Sequence, residues 1–149
     1  PSLLFDGTNL VKGEAFRTGR RVGTPMQAVR VNNLRDVDEL IFLDIAATPE
    51  KRAPDFRHVD ELADHCFMPL TVGGGVRTVE DVRSLLAVGA DKVAINSAAI
   101  ETPELIRAAS TEFGAQAIVS SIDYIYRQDM PCVVTQCGQH VTNIDAFQW

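Results

Sequence analysis

The sequence predicts an α/β protein built on a parallel sheet, and three observations carry that prediction. Apolar runs of strand length alternate with helical stretches through residues 1–123. The clearest runs, such as Leu40-Ile-Phe-Leu43, are almost continuously apolar, the mark of strands covered on both faces. Residues 68–76, Met-Pro-Leu-Thr-Val-Gly-Gly-Gly-Val, run from such a strand straight into three glycines, and a helix opens just after them. Backbone that ends a strand in glycine comes close to a neighbour, and its N–H groups suit an anion such as phosphate. A plain tight turn is the alternative for the same run.

In chain order, residues 1–5 read as a short strand and residues 6–25 as a long, polar, glycine-punctuated connector carrying Lys12. Connectors of that length are usually functional or disordered. Residues 26–34 can form a helix. Residues 39–45 form the second strand, which ends at Asp44 before a small-residue turn, Ala46, Ala47 and Thr48. Phe56, Val59, Leu62 and Ala63 give one apolar helical face. Thr78 followed by Asp81 makes a short-armed capping box for a helix whose stripe is Val79, Val82, Leu85 and Leu86, stopped at Gly89. Residues 92–96 are the next strand. A helix over 103–113 takes Thr102 as N-cap, Pro103 at its first position and Gly114 as stop. Residues 117–123 are the fifth strand, ending in Asp123. The rhythm then breaks into a hairpin, residues 131–135 and 139–142 around Cys137 and Gly138, inserted over 124–144. Residues 145–149 resemble the first turn of a helix.

Four βα units and a fifth strand imply a parallel sheet with right-handed crossovers. Residues 38–48 and 90–100 echo each other, each placing a polar residue (Asp44, Asn96) at a strand's end. Duplication within a barrel would produce that echo, as would chance. A flavodoxin-like open sheet is the alternative, although its phosphate loop usually follows the first strand.

The 149 residues are enough for one ordinary domain, and 46% apolar residues provide for a core. A net charge of −6 argues against a nucleic-acid footprint. No stretch is long and apolar enough to span a bilayer, and no secretory pattern opens the chain, so a cytosolic setting is expected. Cys66, Cys132 and Cys137, with His58, His65 and His140, lack the spacing of a metal site, so reduced thiols and no metal or cofactor are expected. Pro1 is not an initiator methionine and a strand begins at once, so both ends read as cut.

Five motifs occur in fixed order: Leu10-Val-Lys-Gly13, Glu39-Leu-Ile-Phe-Leu-Asp-Ile45, Pro69-Leu-Thr-Val-Gly-Gly-Gly-Val76, Gly89-Ala-Asp-Lys-Val-Ala-Ile-Asn-Ser97 and Ser121-Ile-Asp123. Together they resemble the cyclase subunit of imidazole glycerol phosphate synthase, a (βα)8 TIM barrel of histidine biosynthesis. The resemblance covers the whole chain but only the first part of a barrel of about 250 residues. It therefore implies a single partial TIM-barrel domain over 1–149, roughly a half barrel. In that family ammonia from a glutaminase partner attacks a phosphorylated ribulosyl-aminoimidazole carboxamide nucleotide, and two aspartates serve as acid and base. Asp123 matches the second of them. The first is missing: where the family has Cys-Leu-Asp-Val this chain has Ser2-Leu-Leu-Phe5, with Leu4 in the carboxylate's place.

A related branch, the paralogues encoded with surface-polysaccharide genes, carries leucine there and is expected to serve sugar amidation. The resemblance further assigns a phosphate site to Gly74, Gly75, Asn96 and Ser97, a substrate-covering loop to Lys12, and a substrate-orienting place to Asp44. It assigns an ammonia gate facing the glutaminase to Glu39 and Lys92, whose usual arginine would precede Pro1. Turn chemistry is the alternative for Asn96, helix capping for Asp123, a solvated side chain for Lys12, and a structural ion pair for Glu39 with Lys92. Open sheet edges would favour self-association. A non-catalytic half barrel that binds a phosphate or a partner remains the other reading.

Overall fold

The computed structural model describes residues 1–149, the side chain of Thr18 excepted. Its elements are β1 (Ser2–Phe5), β2 (Leu10–Glu14), β3 (Arg17–Gly23), α1 (Pro25–Leu34), β4 (Leu40–Asp44), α2 (Phe56–Ala63), β5 (Leu70–Gly73), α3 (Val79–Ala87), β6 (Lys92–Ile95), α4 (Ser97–Glu101), α5 (Glu104–Phe113), β7 (Ile118–Ser120), β8 (Asp123–Arg127), β9 (Met130–Thr135) and β10 (His140–Asp145). β1, β4, β5, β6 and β7 lie side by side and parallel, as the alternation of elements predicts. This is the parallel βα arrangement of a partial barrel. Among the described residues the sheet keeps two free edges, at β3 and β7, and does not close.

Register divides the parallel sheet into two faces. Leu3, Phe42, Val72, Val93 and Ile118 stand in one row across it. They belong to the face covered by helices, where Leu40, Leu70 and Ile95 meet Val29, Val59, Leu62, Val82, Leu85, Leu105 and Ala109. Burying each large side chain of this set stabilises the fold by about 1.5–3 kcal/mol. The next row, Leu4, Leu43, Gly73, Ala94 and Val119, points to the other face. A barrel interior would lie on that side, and Leu4 takes its place there.

Local signals set the helix starts. Thr24 caps α1 with Pro25 in its first turn, and Asp55 caps α2 by accepting from His58 N–H at 3.0 Å. The capping box of α3 is complete: Asp81 N–H reaches Thr78 Oγ1 at 3.1 Å, and Thr78 N–H reaches Asp81 Oδ2 at 2.9 Å. Gly89 and Gly114 end α3 and α5 as expected, both at positive φ.

Four expectations need correction. Residues 6–25 are not a loop: β2 and β3 form an antiparallel hairpin beside β1. Its tip is Ala15 and Phe16, at φ 49° and 62°, so it lacks the Asn-Gly signal that marks such turns. A short helix, α4, precedes α5 and uses Thr102 as its C-cap. The N-cap position of α5 therefore falls on Pro103, with no side-chain cap, rather than on Thr102. The fifth strand is shorter than expected, ending at Ser120, although Ser121 N–H still reaches Ile95 O at 2.9 Å. Asp123 instead opens β8, so the inserted hairpin is a three-stranded antiparallel sheet, β8–β9–β10.

Leu85 is wholly buried and Leu34 is 88% exposed. Leu85→Ala should therefore cost about 3 kcal/mol, and Leu34→Ala less than about 0.5 kcal/mol. The two urea midpoints, compared with that of the unmodified chain, check this.

Candidate functional site

Of the residues singled out in the sequence, Asp44, Gly74, Gly75, Asn96, Ser97 and Asp123 gather at the C-terminal ends of the parallel strands. Two small cavities lie there, of about 60 and 80 Å³. Thr48, Gly74, Ala94, Asn96 and Ser97 line both. Gly75 lines the first, and Asp44, Ser121, Asp123 and Cys137 line the second. A larger cavity of about 710 Å³ opens beside Asp6, Arg52 and Arg57. It contains none of the expected site residues, and the convergence of backbone amides, hydroxyls and a carboxylate is found at the two smaller ones.

The glycine turn is explained first by packing. Gly74 has φ +107°, and a Cβ on it would lie 2.1 Å from Asp44 O. Gly75 has φ +74°, and a Cβ would lie 2.8 Å from Arg52 O and 2.9 Å from Ala47 Cβ. The close neighbour that the glycine run anticipates is thus the loop after β4. The Gly75 N–H donates to Thr48 Oγ1 at 3.2 Å.

Asp44 is placed at this rim as expected, but its carboxylate is already engaged. It is 6% exposed and pairs with Arg52 through two hydrogen bonds, at 2.7 and 2.8 Å. Ala46 and Ala47 N–H groups donate to it as well, both at 3.1 Å. The Asp44 carboxylate beside it, then Glu50, hold the Arg52 guanidinium well above its ordinary pKa. Asp44 therefore braces the loop under the glycines, and substrate orientation by its carboxylate is not what the geometry offers.

Asn96 and Asp123 form a pair: Asn96 Nδ2 donates to Asp123 Oδ2 at 2.9 Å. Burial raises the Asp123 pKa above the usual aspartate value, while the Asn96 hydrogen bond pulls it back down. A carboxyl group with raised proton affinity in a polar cavity is suited to acid–base work. Ser97 Oγ accepts from Gln136 N–H at 2.9 Å, so the turn between β9 and β10 sits over α4. The Cys137 thiol donates to Ile45 O at 3.0 Å, and burial, then Asp123 and Asp44, raise its pKa. Cys137 is thus a closing contact of the turn rather than a ready nucleophile.

Lys12 stands exposed on β2 and lines neither small cavity. Glu39 and Lys92 lie at the opposite end of the sheet, where Lys92 Nζ meets Glu39 Oε1 at 2.9 Å. The same oxygen accepts from Thr71 Oγ1 at 2.8 Å. The Lys92 hydrogen bond, followed by that of Thr71, lowers the Glu39 pKa. Sequence reading missed Arg52, Thr48 and Gln136. Arg52 belongs to the run Glu50-Lys51-Arg52, which looks like solvated loop, and Gln136 acts through its backbone, which carries no sequence signal.

A parallel βα sheet with polar residues gathered at its C-terminal rim is the arrangement of a partial βα barrel. The family model described as histidine biosynthesis protein matches residues 2–149, and the chain belongs to that family. It is 44% identical over 154 aligned residues to the imidazole glycerol phosphate synthase subunit HisF of Micrococcus luteus. The alignment takes in all of this chain and 60% of that relative.

Replacing Asn96 by Ala removes the hydrogen bond that favours charged Asp123, so the Asp123 titration should move further upward. Because this group binds its proton more tightly in the folded chain, its stabilising contribution is present at acid pH. It is lost as pH rises through the folded-state value. Carboxyl carbon shifts of Asp123 followed against pH in both chains give the result; a downward move would show the Asn96 assignment wrong.

Proposed function

We propose that this chain acts as the ammonia-using, cyclase-type subunit of a glutamine amidotransferase complex of the imidazole glycerol phosphate synthase kind. The observation that carries the reading is the 44% identity to HisF along the whole chain. The aligned span includes the glycine turn, Asn96, Ser97, Asp123, Glu39 and Lys92. In this reading a phosphorylated small molecule places its phosphate at Gly74, Gly75, Asn96 and Ser97. Asp123 moves a proton at the reacting centre, and the hairpin bearing Lys12 covers the substrate. A glutaminase docks at the sheet end marked by Glu39 and Lys92, and ammonia enters beside that ion pair. The apolar row of half-buried Leu4, Leu43 and Val119 with buried Ala94 suits passage of neutral ammonia rather than ammonium. The chemistry is that of a cytosolic biosynthetic enzyme.

Leu4 decides between two branches of this activity. It stands on the helix-free face where the family's first aspartate would be, and it neither donates nor accepts a proton. That favours the sugar-amidating branch of surface-polysaccharide synthesis, in which ammonia is passed on to a partner's substrate. The histidine-biosynthesis cyclase is the second reading, favoured by the HisF identity itself. A barrel completed to the length of HisF should show no ammonia-dependent turnover of the ribulosyl nucleotide with Leu4 in place. Turnover should appear with Leu4→Asp, measured as release of imidazole glycerol phosphate. Activity with Leu4 unchanged would return the chain to the histidine branch.

The free edges at β3 and β7 favour pairing between copies of the chain as given. Size-exclusion chromatography with light scattering should show a dimer or larger species; a concentrated, stable monomer would contradict this.

A further inference from the structure

We propose that Thr48 is a direct ligand of the anion in this site, its hydroxyl carrying forward the donor that Gly75 supplies. The proposal rests on the phosphate reading of the preceding subsection. The Gly75 N–H points at Thr48 Oγ1, 3.2 Å away, so it is already used within the chain. It cannot be turned elsewhere at low cost. Gly75 is held at φ +74° where a Cβ would meet Arg52 O at 2.8 Å and Ala47 Cβ at 2.9 Å, and the Asp44–Arg52 ion pair fixes that loop.

A threonine hydroxyl accepts through its lone pairs and still has one proton to donate. Among the described residues Thr48 donates that proton to no protein acceptor. Thr48 lines both rim cavities, on the side shared with Gly74 and Asn96. Ser97 repeats the arrangement on the other side: its Oγ accepts from Gln136 N–H at 2.9 Å and also lines both cavities. Two hydroxyls, each receiving a backbone N–H, therefore face one small space. An amide donating to a hydroxyl strengthens the hydroxyl as a donor, and a donor aimed at an anion forms the stronger, charge-assisted bond. Arg77 lines the outer cavity with exposed Glu101, and its guanidinium donates to Lys51 O at 2.9 Å. A cation is thus already seated at the mouth.

The test is titration of inorganic phosphate into the nitrogen-15-labelled chain, following the amides of Gly74, Gly75 and Ser97. The unmodified chain and Thr48→Ser should bind alike, within about twofold. Thr48→Val keeps the shape without the hydroxyl and should bind about tenfold more weakly. If Thr48→Val binds as tightly as the unmodified chain, the anion takes the Gly75 N–H for itself, which overturns the proposal and leaves the phosphate site standing. Equal losses in Thr48→Ser and Thr48→Val would assign the effect to the methyl group and overturn it too. No phosphate-dependent shift at any of the three amides in the unmodified chain would overturn both this proposal and the phosphate reading.

Discussion

The rim of this sheet depends on one ion pair, Asp44 with Arg52. A carboxylate buried to 6% exposure is costly unless it is paired and hydrogen-bonded. Asp44 meets both conditions: the Arg52 fork grips it from one side, and the N–H groups of Ala46 and Ala47 from the other. The result is a loop folded back over the end of β4. Asp44 O then lies under Gly74, and Arg52 O and Ala47 lie under Gly75. Side chains at either glycine would collide with that loop. The three-glycine run is thus the complement of the brace.

Local signals were legible and distant ones were not. The capping box of α3 is written within Thr78 and Asp81, so it is readable in sequence and present in the fold. The five parallel strands were legible because buried strands cannot hide their apolar runs. The β2–β3 hairpin was not, because Ala15 and Phe16 adopt left-handed conformations that their side chains do not advertise. Asp123 was read as the end of a strand, yet it begins the next sheet: pairing with β6 lapses after Ser121, and β9 supplies a new partner. The glycine run and the polar strand ends Asp44 and Asn96 were legible in the pattern, and it was the family resemblance that joined Ser97 to them. The wiring of this rim was not, since Arg52 reaches Asp44 across a loop and Gln136 reaches Ser97 from 39 residues away.

The same wiring separates the two ends of the sheet. At the N-terminal end Lys92, Glu39 and Thr71 share one carboxylate oxygen. Charge there is balanced within the cluster and kept close to solvent, so the group costs little to maintain. At the C-terminal rim two hydroxyls each accept a backbone N–H. The hydroxyls of Thr48 and Ser97 keep protons to give, and the fixed cation Arg52 is spent on Asp44.

Three carboxylates, then, sit in three environments with three outcomes. Asp44 is held by a guanidinium and serves as structure. Glu39 has its pKa lowered by Lys92 and Thr71, and stays charged at the far end. Asp123 has a raised pKa, because burial outweighs the single hydrogen bond from Asn96. No cation is paired with it to cancel that effect. Raised proton affinity and access to the cavity meet at its carboxyl group. Leucine at position 4 leaves the facing row of β1 without a carboxyl to share the task. A reaction at this rim that needs both a proton donor and a proton acceptor must therefore find the second group outside β1, or leave the second transfer to a partner.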